Sequence, residues 1–148
     1  LHAEVREKGG AYGGGAGHDS TTGLFRFYSY RDPRLMDTFE AFSESIDWAL
    51  NNDITDLMLE EAVLGIISSV DAPGSPSGEI RQAFHHGLFG RSAEHREASR
   101  GSYLEVRQND LRRVIDTYLH QTPSRAVVTS ENLLGEVDNQ FEQVFVNE

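Results

Sequence analysis

Residues 5–13, VREKGGAYG, decide the fold of this chain because they end a helix and begin a strand within a few residues. A cation at Lys8 followed by two glycines is typical of a helix C-terminus, since glycine readily adopts the left-handed conformation that stops a helix. We therefore predict a short helix over residues 1–8 and a strand over residues 11–16. Isolated helices this short are unstable, and the chain begins at Leu1, so we expect it to be a cut piece of a longer polypeptide.

A second strand is predicted over residues 24–30, which are rich in aromatic side chains. The turn-like segment 17–23 would join the two strands as a hairpin. Directly afterwards, Asp32 and Pro33 supply an N-cap and a proline at the first helical position. The hairpin should therefore lead straight into an amphipathic helix.

The remaining chain is mostly helical by pattern, with apolar residues three and four positions apart. Asp32, Thr55, Ser92 and Asn109 are expected helix starts, and Gly90 is an expected stop. The predicted segments are helices over 33–50, 55–70, 80–88, 92–106, 109–119 and 131–137, a loop over 72–77, and strand candidates over 125–129 and 141–146.

This element order predicts an α+β fold, in which an antiparallel sheet is covered on one face by several helices. No repeat or internal boundary is visible, so residues 1–148 are expected to form a single domain. Four strands make a small sheet, and we expect further strands before Leu1. Their loss would expose a sheet edge and favour self-association.

Composition excludes several classes of function. The net charge is −11, and the 13 basic residues are scattered, so a nucleic-acid partner is not expected. No apolar run is long enough for a membrane helix, and no membrane partner is expected. The absence of cysteine excludes disulfides and thiolate catalysis in this chain.

The sequence also lacks a recognisable zinc-binding motif. None of the six histidines lies in a His-x-x-Glu-His or His-Glu-x-x-His arrangement. His85 and His86 are adjacent, and adjacent helical positions point about 100° apart, so they do not share a face. We therefore predict that this chain supplies no metal ligand, and that its histidines are ordinary helix residues.

Arg6 and Tyr12 are the residues that best fit chemistry, because they flank the glycine bend. Arginine is a permanent cation with forked donors, and a phenol can donate one hydrogen bond while neutral. Both groups suit holding a peptide carbonyl, and the bend would let them converge on one cleft. The alternative from the residues alone is an ordinary surface arginine and a tyrosine that packs on the sheet.

Residues 6–13, the hairpin and residues 29–33 (SYRDP) resemble the C-terminal domain of presequence proteases, which belong to the pitrilysin or inverzincin superfamily. The likeness continues weakly to about Leu119. It implies that this chain is the C-terminal portion of the last peptidase-like domain of a larger zinc endopeptidase. That enzyme would close around short unstructured peptides, such as targeting peptides, with zinc bound in its N-terminal half.

The resemblance further implies roles for the two residues: Arg6 would orient the peptide backbone, and Tyr12 would hydrogen-bond the scissile carbonyl. The implied partners are the peptide substrate and the N-terminal half of the same enzyme, and the isolated chain should be inactive and zinc-free. The parent would be cytoplasmic in a bacterium, or mitochondrial or plastid in a eukaryote. Two alternatives stay open, a non-catalytic interaction domain of the same superfamily and a free-standing peptide-binding module.

Overall fold

The structure is a computed structural model that describes residues 1–137, 140–142 and 145. These residues form an α+β mixture, which confirms the predicted fold class. They fall into two compact units, Leu1–Trp48 with Tyr118–Glu148, and Ala49–Thr117. The number of independently folding domains is not decided by this division, so the single domain over 1–148 stays a prediction.

The first unit begins with the helix-to-hairpin arrangement that the sequence predicts. A short π-helix, Ala3–Lys8, precedes the antiparallel strands β1 (Gly13–Asp19) and β2 (Leu24–Tyr30). Strand β1 lies later than the predicted 11–16, because the turn between the strands is tighter than expected. The Asp19 carboxylate accepts a hydrogen bond from the amide of Thr21 at 2.8 Å, which holds the chain reversal to residues 20–23.

The two faces of this hairpin have different neighbours. Helix α1 (Leu35–Asn51) covers one face, where the Phe27 and Phe42 rings stack with centroids 5.2 Å apart. Val5 is 1% exposed and packs in the same cluster as Phe42. Tyr28 and Tyr30 alternate with Phe27 along β2 and therefore point to the opposite, exposed face.

Asp32 is not the N-cap of α1 as predicted, but its side chain organises the turn that precedes the helix. One carboxylate oxygen accepts from the Arg34 amide at 2.9 Å, and the other accepts from the buried Thr38 hydroxyl at 2.6 Å. The helix begins at Leu35 rather than at Pro33, because Asp32 organises a turn through Arg34 before the first helical residue.

The strand predicted over residues 125–129 is wrong. This segment is irregular, its Val128 side chain is fully exposed, and the Arg125 guanidinium lies over the Phe39 ring at 5.3 Å. Apolar β-branched residues form a strand only when a neighbouring strand pairs with them, and only β1 and β2 form a sheet among the described residues. The candidate over 141–146 includes residues outside the described ranges and stays a prediction.

The second unit is helical. Thr55 and Ser92 cap their helices as predicted, and Gly90 has a φ of 65°, which suits its predicted role as a stop. The helices of this unit are α2 (Asp56–Asp71), α3 (Pro76–Leu88), α4 (Ala93–Glu105) and α5 (Gln108–Val114). Helix α5 continues as a π-helical turn, Ile115–Leu119, whose last two residues belong to the first unit. A last helix, α6 (Glu131–Val137), confirms the predicted helical link and belongs to the first unit.

Two helix starts in the second unit differ from prediction. Helix α3 begins inside the predicted loop, because the Ser75 hydroxyl accepts from the Gly78 amide at 3.2 Å and Pro76 occupies the first helical position. Asn109 does not cap α5. The Asp110 carboxylate instead accepts from the Arg107 amide at 3.0 Å, so the helix begins one residue before Asn109.

An ion pair joins α2 to α4 within the second unit. The Arg100 guanidinium donates to both Asp71 carboxylate oxygens, from Nε to Oδ1 at 3.0 Å and from Nη2 to Oδ2 at 2.7 Å. These hydrogen bonds lower the pKa of Asp71 below its usual range and raise that of Arg100. The pair therefore stabilises the fold above the ordinary aspartate pKa, and this contribution is lost as the pH falls through the lowered pKa of Asp71.

We expect Arg100→Gln to lower the free energy of unfolding at neutral pH and to have no effect in strong acid, where Asp71 is protonated. Urea unfolding of the chain across this pH range measures the difference. Arg81→Gln on α3 is the control, because it removes the charge of an exposed arginine in the same unit. A destabilisation by Arg100→Gln that is the same at every pH would contradict the ion-pair explanation.

No helix among the described residues combines the length and apolar character needed to cross a membrane.

Candidate functional site

Arg6 and Tyr12 lie on either side of a hydrogen-bonded glycine bend. The Gly10 amide donates to the Arg6 carbonyl at 3.0 Å, and the Ala11 amide donates to the Val5 carbonyl at 3.2 Å. Gly10 has a φ of 79°, a conformation that favours glycine. The bend therefore satisfies two carbonyls of the helix end and leads directly into the segment that carries Tyr12.

A small buried cluster anchors the bend. Val5 and Ala11 are 1% and 5% exposed, and they pack with Ala41 of α1. Gly9 is also buried, and a Cβ atom at this position would lie 2.3 Å from the Val5 carbonyl oxygen. Only glycine fits here without moving the main chain, so the sequence of the bend fixes how the helix meets the hairpin.

The Arg6 side chain is exposed and has a histidine neighbour. Its Nη1 lies 3.1 Å from His2 Nε2, and His2 Nδ1 lies 3.7 Å from a Glu7 carboxylate oxygen. Because arginine only donates, His2 accepts at Nε2 and carries its proton on Nδ1, towards Glu7. Only one of the five guanidinium N–H groups is needed for this contact, so Arg6 keeps donors for a second acceptor.

Lys8 and Glu4 form an adjacent ion pair one helical turn apart. Their hydrogen bond lowers the pKa of the Glu4 carboxyl and raises that of the Lys8 amine. Both groups are therefore charged over the whole neutral range. Because this pair neutralises itself, Arg6 is left as the cation of the helix that can interact with an added ligand.

Tyr12 is exposed and is surrounded by residues from the end of β2. Its side chain is 69% exposed, its ring packs edge-on against Tyr30 with centroids 6.1 Å apart, and the Arg31 guanidinium lies 5.7 Å from its ring centroid. The Tyr12 amide donates to the Arg31 carbonyl at 3.3 Å. The phenol is therefore held by its ring and its main chain while its surface stays accessible.

The structure thus places both predicted residues at the surface, where a peptide can reach them. Arg6 contacts His2, whereas Tyr12 contacts Tyr30 and Arg31. Their convergence on one cleft stays a prediction. The sequence does not predict Arg31 as a neighbour of Tyr12, although Arg31 lies in the SYRDP segment, because its approach depends on a backbone conformation that residue type does not reveal.

The histidines show no arrangement that fits zinc. In the described part of the chain, no three His, Cys, Asp or Glu side chains come close enough to hold a metal ion. His85 contacts the rings of Phe84 and Phe89, at centroid distances of 5.9 and 6.4 Å. Burial and the nearby cations of Arg96 and Arg91 lower the pKa of His86. These two side chains thus have aromatic and cationic neighbours rather than additional ligands.

Comparison with known proteins gives a consistent family match. The model of a family described as PreP C-terminal domain matches residues 1–131. Proteins named presequence protease, mitochondrial, are similar in Yarrowia lipolytica (42% identity over 119 residues, 80% of this chain), mouse (39% over 135 residues, 89%) and Saccharomyces cerevisiae (41% over 138 residues, 91%). The chain spans only 12–13% of the length of these relatives. Their names agree with the mitochondrial alternative for localisation and give no support to the bacterial one.

Proposed function

This chain belongs to the family of presequence protease C-terminal domains, and from this premise we propose that it is the substrate-contacting part of a zinc-dependent endopeptidase. The parent enzyme would degrade short unstructured peptides, such as targeting peptides, in a closed chamber. The observation that carries the proposal is the pair of exposed side chains, Arg6 and Tyr12, placed around a glycine bend inside the family match.

In this proposal Tyr12 acts on the reacting carbonyl. Its phenol donates a hydrogen bond to the carbonyl oxygen of the scissile peptide bond, and this bond strengthens as negative charge develops on that oxygen. A donor that is already held in place stabilises the transition state more than the ground state. The ring contacts of Tyr12 with Tyr30 and Arg31 support this role, because they limit the movement of the phenol.

Arg6 is proposed to bind the peptide main chain. The guanidinium donors that do not face His2 can donate to backbone carbonyl oxygens of an extended peptide, whatever its sequence. Such binding suits an enzyme that degrades peptides of many sequences. Peptide orientation by Arg6 and carbonyl polarisation by Tyr12 are then two separate contributions to the same reaction.

We propose that zinc binds in the parent polypeptide outside this chain, as the family resemblance implies; the described residues contain no cluster of candidate ligands. The proposed partners are therefore the N-terminal half of the enzyme, which would hold the zinc, and the peptide. Among the described residues the sheet has only two strands, which supports the proposal that an isolated chain self-associates through a sheet edge. By the names of the relatives, we place the parent enzyme in mitochondria.

Metal analysis and peptide hydrolysis test the proposal together. The full-length enzyme should bind zinc, cleave an unstructured peptide of targeting-peptide composition and lose this activity with a chelator. The 148-residue chain should bind no stoichiometric zinc after dialysis and should not cleave the same peptide. Zinc bound stoichiometrically by the chain alone would contradict the proposal.

A parent gene that lacks His-x-x-Glu-His would favour the non-catalytic interaction domain instead. Tight peptide binding by the chain alone would favour the free-standing peptide-binding module.

A further inference from the structure

Arg31 has a backbone conformation that its residue type disfavours. Its φ is 48°, and it is the only non-glycine residue with positive φ among those the structure describes. Arginine rarely adopts this left-handed conformation, because its Cβ atom crowds the main chain. Such strain persists where the surrounding structure requires it, and it is concentrated at functional sites.

The conformation brings the Arg31 side chain over two phenol rings. Its guanidinium carbon lies 5.7 Å from the Tyr12 ring centroid and 5.4 Å from that of Tyr30. Both distances are within the range of cation–π attraction. The two rings also pack edge-on against each other at an interplanar angle of 80°. Arg31 therefore contacts Tyr12 on the ring, in addition to accepting the Tyr12 amide hydrogen bond with its carbonyl.

The nearest carboxylate in sequence does not compete for this guanidinium. Both carboxylate oxygens of Asp32 accept hydrogen bonds, from Arg34 and from Thr38. Within the described ranges, every ion pair of the structure that involves an arginine uses an arginine other than Arg31. The side chain of Arg31 thus has the two tyrosine rings as its specific neighbours, which a purely structural turn residue would not need.

We propose that Arg31 is a positioning residue, which holds the Tyr12 phenol in the orientation needed for the substrate carbonyl. The inference rests on the proposed function of Tyr12. A displacement of about 1 Å at a reacting group can reduce turnover by as much as 10²-fold, so a neighbour that restrains the ring contributes to kcat without touching the substrate.

Arg31→Gly in the full-length enzyme separates positioning from folding, because glycine keeps the left-handed conformation and removes only the side chain. We expect kcat to fall about tenfold, with KM changed by less than about twofold and the thermal midpoint unchanged or raised. Arg31→Lys should recover part of the lost kcat, because lysine restores a cation that can lie over the rings. Wild-type kcat in Arg31→Gly, or a rise in KM alone, would overturn the proposal.

A double variant distinguishes this proposal from the one on which it rests. In a Tyr12→Phe background, Arg31→Gly should lower kcat no further, because the phenol that Arg31 positions is already absent. Independent, additive losses would overturn the positioning role and leave the role of Tyr12 intact. If Tyr12→Phe alone has wild-type kcat, the role of Tyr12 fails, and the positioning role of Arg31 fails with it.

Discussion

Replacing Tyr12 by phenylalanine in the full-length enzyme should lower kcat by about 10²-fold, the loss expected when one oxyanion donor is removed. Phenylalanine keeps the ring that packs against Tyr30 and Arg31, so the local structure should be preserved. Zinc content should not change, because the described part of the chain holds no metal cluster. The expected change is therefore in turnover rather than in folding or metal binding.

Steady-state hydrolysis of a quenched fluorescent peptide, together with metal analysis, measures this effect. Tyr118→Phe is the matched control, because Tyr118 is 65% exposed and Tyr12 is 69% exposed. The control removes one accessible phenol of the same unit, so its kcat should equal that of the wild type. Equal turnover in the two variants would remove Tyr12 from the mechanism.

Gly9→Ala should destabilise the chain by about 1–3 kcal/mol, the usual cost of forcing an extra carbon into a closely packed position. The added Cβ would lie 2.3 Å from the Val5 carbonyl oxygen and 2.7 Å from that of Glu4. Both oxygens belong to the main chain, which can yield only if the helix moves away from the hairpin. Urea unfolding followed by far-UV circular dichroism gives the change in free energy.

Gly13→Ala is the control for this substitution, because it adds the same methyl group four residues later. A Cβ at Gly13 would meet no heavy atom within 4 Å, and the backbone is outside the left-handed region. The variant should be as stable as the wild type, or slightly more stable, because alanine restricts the unfolded chain. Equal stability of Gly9→Ala and Gly13→Ala would show that the bend accommodates a Cβ atom at residue 9 without cost, contrary to the prediction.

The elements that the sequence predicts well are those set by local chemistry. Thr55 and Ser92 cap helices because their hydroxyls accept from amides three residues later, a contact that depends on no distant part of the chain. Gly10 and Gly90 adopt positive φ at helix ends for an equally local reason. Such signals can be recognised without knowledge of tertiary packing.

The wrong predictions have one distant and one local cause. The apolar residues of 125–129 favour a strand, yet strand formation needs a partner, and Arg125 instead lies against Phe39 of α1. Helix α5 begins at Gln108, and Asp110 inside its first turn, rather than Asn109, accepts from the Arg107 amide; Asn and Asp are both common at helix starts, so residue type does not decide between these neighbours. In both cases the sequence allows an acceptable alternative, and tertiary contacts decide the outcome for residues 125–129.

The candidate site likewise contains two residues that the sequence predicts and one neighbour that it does not. Arg6 and Tyr12 could be chosen from residue chemistry and spacing, because a glycine bend is readable in sequence. Arg31 could not be placed beside Tyr12, since its position over the ring requires a φ of 48° that is unusual for arginine. Sequence patterns do not predict positions that depart in this way from local conformational preference.

Because β1 is rich in glycine, its side chains do little to set the register of the hairpin. A strand normally resists slipping because a shift of one residue exchanges its inward and outward side chains, but glycine has no side chain to exchange. The pairing of Gly13 with Tyr30 therefore depends on its two ends, the Asp19 turn and the hydrogen bond from Tyr12 to Arg31. An error of one residue would carry the phenol about 3.4 Å along the strand axis, so the loop at the far tip helps to set where the Tyr12 hydroxyl lies.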